Sequence, residues 1–88
     1  MSTDLINDKY YVPVERVQDI AEKVMQSQAV DRAKIDALLH LDAQMYQNLG
    51  KESTKTEREK VKTQSRKLYR LIKTLNEEMG KRLLMYVA

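Results

Sequence analysis

The strongest helical pattern of the chain lies in residues 54–79, TKTEREKVKTQSRKLYRLIKTLNEEM. The segment opens with Thr54 and, three residues later, Glu57, which together match the capping box of a helix N-terminus. Apolar or small residues then recur at alternating steps of four and three. This spacing predicts a helix with one packed side, which we expect to cover residues 54–86. The seam consists of Val61, Ser65, Leu68, Ile72, Leu75 and Met79.

A shorter amphipathic segment is predicted near the start of the chain. Pro13 suits the first position of a helix because its φ angle is already helical. The apolar residues between Val14 and Met25 share one side of a helical wheel, which predicts a helix over residues 13–26. We expect residues 1–12 to form an irregular arm.

A second helix is predicted over residues 31–49. Asp31 is the expected N-cap, and Gly50 stands at the position where many helices end in a left-handed conformation. Because the connection between the second and third helices is short, we expect them to pack antiparallel.

The composition agrees with helices and excludes several other classes. The chain has 88 residues, one proline, two glycines and no cysteine, so neither a disulfide nor a thiolate zinc site is available. Few turn-forming residues argue against a β fold. We therefore predict one all-α domain over residues 1–88, a small three-helix antiparallel bundle with a long C-terminal helix.

Catalytic and metal-binding constellations are not found in the sequence. His40 is the single histidine, and the wheel places it on the polar side of the second helix. General acid–base catalysis needs a partner group and a pocket, and we interpret His40 as a solvated surface residue. We expect no enzymatic activity, catalytic residue, metal, cofactor or small-molecule substrate.

The longest apolar run covers residues 83–88, far short of the ~20 residues of a membrane span. We expect no membrane partner and a cytoplasmic location, in the protein's own cell or in a virus-infected host.

Charge is unevenly distributed along the chain. Residues 1–50 carry a net charge of −3, residues 51–73 a net charge of +6, and residues 74–88 none. Within the basic segment, a line of side chains recurs at helical spacing over about 27 Å. We call this line the basic stripe, and it consists of Lys55, Arg58, Lys62, Arg66, Tyr69 and Lys73.

The basic stripe has three interpretations. It is a solvated helix face, or it pairs with the acidic edge of the first helix, formed by Glu15, Asp19 and Glu22. In the third interpretation, its cations contact the phosphates of a nucleic acid while Tyr69 stacks on an unpaired base.

Asp42 is the most unusual position because it lies in the apolar arc of the second helix. A buried charge costs several kcal/mol, on the order of 3–5, when it is left without a partner. We expect either a tyrosine hydroxyl or a lysine or arginine of the third helix to bind it and to fix the helix register. The alternative is that the second helix is only partly covered and Asp42 stays hydrated.

The second helix and the C-terminus carry more apolar surface than two neighbours in a small chain are expected to cover. Uncovered apolar surface usually marks an association site. The leading hypothesis is therefore a non-enzymatic interaction module that forms a dimer or docks on a larger protein. A nucleic-acid-binding protein that uses the basic stripe is the alternative. The expected interface residues are Leu38, Asp42, Met45, Tyr46, Leu68, Ile72 and Tyr86.

Overall fold

The structure, a computed structural model, describes residues 13–50 and 52–87 and places four α-helices in them. They are α1 (Val17–Gln26), α2 (Asp31–Gln47), α3 (Lys55–Leu75) and α4 (Glu77–Val87). The described ranges contain no strand, so the predicted all-α class is confirmed for them. The arm expected over residues 1–12 lies outside the described residues. None of the four helices is both long and apolar enough to cross a membrane.

The first predicted helix begins later than expected. Pro13 precedes a short 3-10 turn, Val14–Arg16, and α1 starts only at Val17. The backbone N–H of Arg16 donates to the carbonyl of Pro13 at 2.9 Å, which closes the turn. Val17 and Ala21 are fully buried and anchor α1 to the core.

Both ends of α2 differ from the prediction. Asp31 is the first helical residue rather than the cap; Val30 holds the N-cap position without a side-chain hydrogen bond. The helix ends at Gln47 with Asn48 as C-cap in the right-handed region, and neither glycine of the chain has a positive φ. Gly50 therefore does not form the expected left-handed cap.

The predicted capping box at the start of α3 is confirmed. The backbone N–H of Glu57 donates to Thr54 Oγ1 at 3.1 Å, and the backbone N–H of Thr54 donates to Glu57 Oε1 at 2.7 Å. These hydrogen bonds, that from the Thr54 backbone above all, lower the pKa of the Glu57 carboxyl because they favour its charged form.

The third predicted helix is broken at Asn76, which corrects the expected single helix over residues 54–86. Asn76 has an extended conformation, with φ −151° and ψ 98°. Its backbone N–H donates to Ile72 O at 2.7 Å and completes α3, while its side-chain Oδ1 accepts from the N–H of Met79 at 3.1 Å and caps α4. One asparagine thus ends one helix and begins the next.

Gly80 lets α4 fold back onto α3. In a continuous helix, residues 73 and 80 would stand about 10 Å apart along the axis. Here the backbones at these positions are in direct contact, because a Cβ placed on Gly80 would overlap the Cα and Cβ atoms of Lys73. Gly80 is buried in this contact, so its function is close packing rather than the weakening of a long helix.

The four helices share one core in a flat molecule only 17 Å thick. Between the helices, Gln18 Nε2 of α1 donates to Gln64 Oε1 of α3 at 2.8 Å. Lys34 Nζ of α2 donates at 2.9 Å to the carbonyl of Met25, in the last turn of α1. The core residues are Val17, Ala21, Ile35, Leu38, Leu41, Met45, Val61, Leu68, Tyr69, Ile72 and Val87.

The close approach at Gly80 makes a prediction with a definite sign. Gly80→Ala forces a methyl group into the α3 backbone and should destabilise the fold by about 1–3 kcal/mol. If Gly80 acted only through helix propensity, alanine would instead stabilise the fold by about 1 kcal/mol.

Thermal unfolding followed by circular dichroism distinguishes the two outcomes. Gly50→Ala is the matched control, because the nearest atom to its Cβ is the backbone nitrogen of Glu52 at 4.0 Å. We expect Gly50→Ala to leave the melting temperature nearly unchanged. An increase for Gly80→Ala would contradict the packing argument.

Candidate interaction surfaces

A buried polar cluster joins α2 to α3. The Oδ1 atom of Asp42 accepts a hydrogen bond from Ser65 Oγ at 2.6 Å, and Oδ2 accepts one from Tyr69 Oη at 2.5 Å. Asp42 is 8% exposed and Ser65 is fully buried. The expected tyrosine hydroxyl is therefore the partner of Asp42. In the described part of the chain, no lysine or arginine pairs with this carboxylate.

The position of Tyr69 corrects its assignment to the basic stripe. Tyr69 is only 8% exposed and its hydroxyl is bound to Asp42, so its ring is not available to stack on a base. Burial, followed by the hydrogen bond to Asp42, raises the pKa of Tyr69 to about 12. Its place on the wheel gave a signal in advance, since Tyr69 follows the seam residue Ser65 by one helical turn.

Most of the expected interface residues lie inside the chain. Leu38, Met45, Leu68 and Ile72 are at most 2% exposed and form the centre of the core. They therefore offer no external surface in this fold, because they lie in the shared core, where α1 packs on both α2 and α3 and α4 packs on α3. Asp42 is buried with them.

The apolar side chains that remain accessible are few. Tyr86 is 85% exposed and Met85 is 77% exposed, both in the last turn of α4. Tyr46 of α2 is 39% exposed. Of the expected interface residues, Tyr46 and Tyr86 are thus the two that a partner can reach.

The cations of the basic stripe remain on the surface. Lys55, Arg58, Lys62 and Lys73 are exposed, and Arg66 is half-buried. Lys and Arg ion pairs in the two described ranges join only Lys81 to Glu77 and Arg82 to Glu78, all on α4.

The acidic edge Glu15, Asp19 and Glu22 is exposed and forms none of these lysine or arginine pairs. Intrachain pairing with the basic stripe is therefore not observed among the described residues.

A shallow groove lies where the basic stripe meets the end of α2. We call it the Tyr46 groove, and its lining residues are Tyr46, Leu49, Lys55, Arg58, Glu59 and Lys62. Arg58 Nε donates to Ser53 Oγ at 3.1 Å, which holds the guanidinium at the edge of the groove. Sequence reasoning assigned Tyr46 to an apolar interface and missed its position beside three cations.

No group of three or more histidine, cysteine, aspartate or glutamate side chains is arranged to hold a metal ion in residues 13–50 and 52–87. His40 lies at an exposed position of α2.

Comparisons with known proteins add no assignment: no protein family, curated protein or solved structure matches this chain.

The buried cluster predicts a specific loss of stability at high pH. The pKa of Tyr69 is about 12 in the folded protein against 10 for an ordinary tyrosine, so the folded state holds its proton more tightly. This contribution is complete below pH 10 and is lost as the pH rises towards 12. The free energy of unfolding should therefore fall across this window, and Tyr69→Phe should show a smaller fall.

Urea unfolding at several pH values measures this effect. At neutral pH, Tyr69→Phe should also cost about 1.5–3 kcal/mol, the usual contribution of a hydrogen bond to a charged group. Tyr86→Phe is the matched control, because Tyr86 is 85% exposed, and it should behave like the wild type. Equal alkaline losses in the wild type and Tyr69→Phe would refute the assignment.

Proposed function

We propose that this protein is a non-enzymatic helical interaction module whose working surface is the cationic side of α3, and that its partner is an extended polyanion. The observation that carries the proposal is the charge of this helix. Over Lys55–Leu75, eight lysines and arginines stand against two glutamates, and none of the eight is in an ion pair with a described residue.

Unpaired cations on one rigid element favour an anionic partner for a physical reason. The electrostatic potential of a cation is largely cancelled when an anion of the same chain pairs with it. The potentials of unpaired cations on one helix instead add up and attract polyanions. A helix of 21 residues is about 31 Å long, so its cations can contact several successive anionic groups. Each contact releases condensed counterions when the partner is a nucleic acid.

Self-association is the second candidate function, and the exposure of Met85 and Tyr86 favours it. Both side chains protrude from the last turn of α4, whereas Leu83, Leu84 and Val87 of the same helix pack on the core. A homodimer that buries these two side chains is the form of the apolar-docking hypothesis that agrees with this fold. The docking surface is then on α4 and not on α2 and α3.

The polyanion proposal predicts binding that depends steeply on salt. The protein should bind duplex DNA and inorganic polyphosphate at low ionic strength and lose affinity as salt increases. Lys62→Glu combined with Arg66→Glu should abolish binding, because the double variant places two anions in the centre of the basic stripe.

The matched control combines Lys23→Glu with Arg32→Glu, which changes the net charge equally but replaces exposed residues of α1 and α2. It should retain most of the binding in an electrophoretic shift or fluorescence anisotropy assay. If the wild type binds neither polyanion at low salt, the proposal is wrong.

The self-association candidate predicts a dimer in sedimentation equilibrium. Met85→Lys combined with Tyr86→Lys should convert the dimer to a monomer, because lysine side chains keep their ammonium groups in water. Val30→Lys is the control, since Val30 is 71% exposed but lies outside α4. A wild-type protein that stays monomeric at the highest accessible concentration would remove this candidate.

A further inference from the structure

We propose that the Tyr46 groove binds single-stranded nucleic acid, with an unpaired base stacked on the Tyr46 ring and the flanking phosphates held by Lys55, Arg58 and Lys62. This inference rests on the proposed polyanion-binding function and names both the partner and the place of contact. Two observations support the inference. An accessible aromatic side chain lies in the same groove as three cations, and these cations have no carboxylate partner among the described residues.

The helix packing explains why the aromatic ring and the cations meet. Asp42 of α2 binds Ser65 and Tyr69 of α3, and Leu49, which follows the C-terminus of α2, lies in a groove with Lys55. Residue numbers therefore rise along α2 as they fall along α3. Tyr46 follows Asp42 by one helical turn, so it lies beside the N-terminal half of α3, where the basic stripe begins.

The dimensions of the groove suit a short stretch of one strand. Lys55 and Lys62 are seven residues apart on α3, a distance of about 10 Å along the helix axis. Phosphates of one nucleic-acid strand follow one another at about 3.4 Å along the axis of a duplex. Phosphates of an unstacked single strand are farther apart than this, so three cations over this length can contact successive phosphates of a short stretch of one strand.

Arg58 is held in place before any ligand arrives. Its Nε donates to Ser53 Oγ, and the two terminal nitrogens of the guanidinium remain for other acceptors. A guanidinium offers a planar pair of donors that suits phosphate oxygens. Because its orientation is partly fixed, less side-chain entropy is lost on binding.

The aromatic ring selects an unpaired base. In a duplex both faces of each base are covered by stacked neighbours, whereas a single strand exposes faces on which an aromatic side chain can stack. The other aromatic residue of the basic stripe, Tyr69, is buried against Asp42 and does not serve this purpose. Tyr46 is 39% exposed, so it retains accessible ring surface.

Glu59 also lines the groove and provides an internal test of this arrangement. Its carboxylate repels a bound phosphate and weakens binding in the wild type. Glu59→Gln keeps the size of the side chain and removes this charge. Affinity for a single strand should therefore increase in Glu59→Gln by more than it does in Glu22→Gln, which removes an exposed charge from α1.

The experiment compares three probes by fluorescence anisotropy or competition: a fluorescent oligothymidylate, a duplex of the same length, and inorganic polyphosphate, which has phosphates but no bases. Tyr46→Ala should weaken oligothymidylate binding between about five- and a hundredfold, the usual range for the loss of one stacked base. It should leave polyphosphate binding unchanged. Tyr46→Phe should retain oligothymidylate binding, since phenylalanine keeps the ring.

Lys62→Glu and Lys67→Glu provide matched charge variants on the same helix. Both lysines are exposed on α3, but only Lys62 lines the groove. Lys62→Glu should weaken oligothymidylate binding at least tenfold more than Lys67→Glu does. Circular dichroism of each variant verifies that the helices are retained.

The outcomes separate the inference from the function on which it rests. If all three probes fail to bind at low salt, both the proposed function and the groove assignment are wrong. If the probes bind but Tyr46→Ala changes nothing, or Lys62→Glu and Lys67→Glu weaken binding equally, the cationic helix acts without the groove and only this inference is overturned. A duplex that binds more tightly than the single strand also overturns it.

Discussion

The hydrogen bonds of Asp42 to Ser65 and Tyr69 constrain the whole arrangement of this protein. A buried carboxylate that loses its donors costs several kcal/mol, on the order of 3–5, so α2 and α3 are held in the one register that keeps both hydroxyls within reach. A shift of either helix by one residue moves these groups to different sides. The same register determines which surface residues become neighbours, including Tyr46 and the cations at the start of α3.

The reversal at Asn76 has an equally large effect on what is left exposed. A continuous helix would have projected its C-terminal residues away from the core and left uncovered the side of α3 on which α4 now packs. Because Asn76 ends α3 and caps α4, and because Gly80 permits backbone contact with Lys73, α4 returns and closes the core. Most of the apolar side chains that suggested a large docking surface are buried inside the chain, whereas Tyr46, Met85 and Tyr86 remain exposed.

The charged side chains of α3 and α4 differ in whether they form ion pairs. The lysines and arginines of α3 face away from the core and form no ion pair with any described residue, whereas those of α4 pair with glutamates one turn away. Surface pairs of that kind contribute about 0–1 kcal/mol and neutralise the local field. The contrast leaves α3 as the strongly positive element of the molecule. The proposed interaction with polyanions rests on this separation of charge.

The sequence by itself determined the helical class, the capping box at Thr54 and Glu57, the seam of α3, and the need of Asp42 for a hydroxyl or cationic partner. These features depend on residues within one or two helical turns, so local spacing is sufficient to predict them. Tertiary structure alone decided that Tyr69 binds Asp42, that the chain reverses at Asn76 and that Tyr46 lies beside Lys55 and Lys62. Periodicity places residues on a wheel, but only contacts between helices distant in sequence determine which part of that wheel is covered.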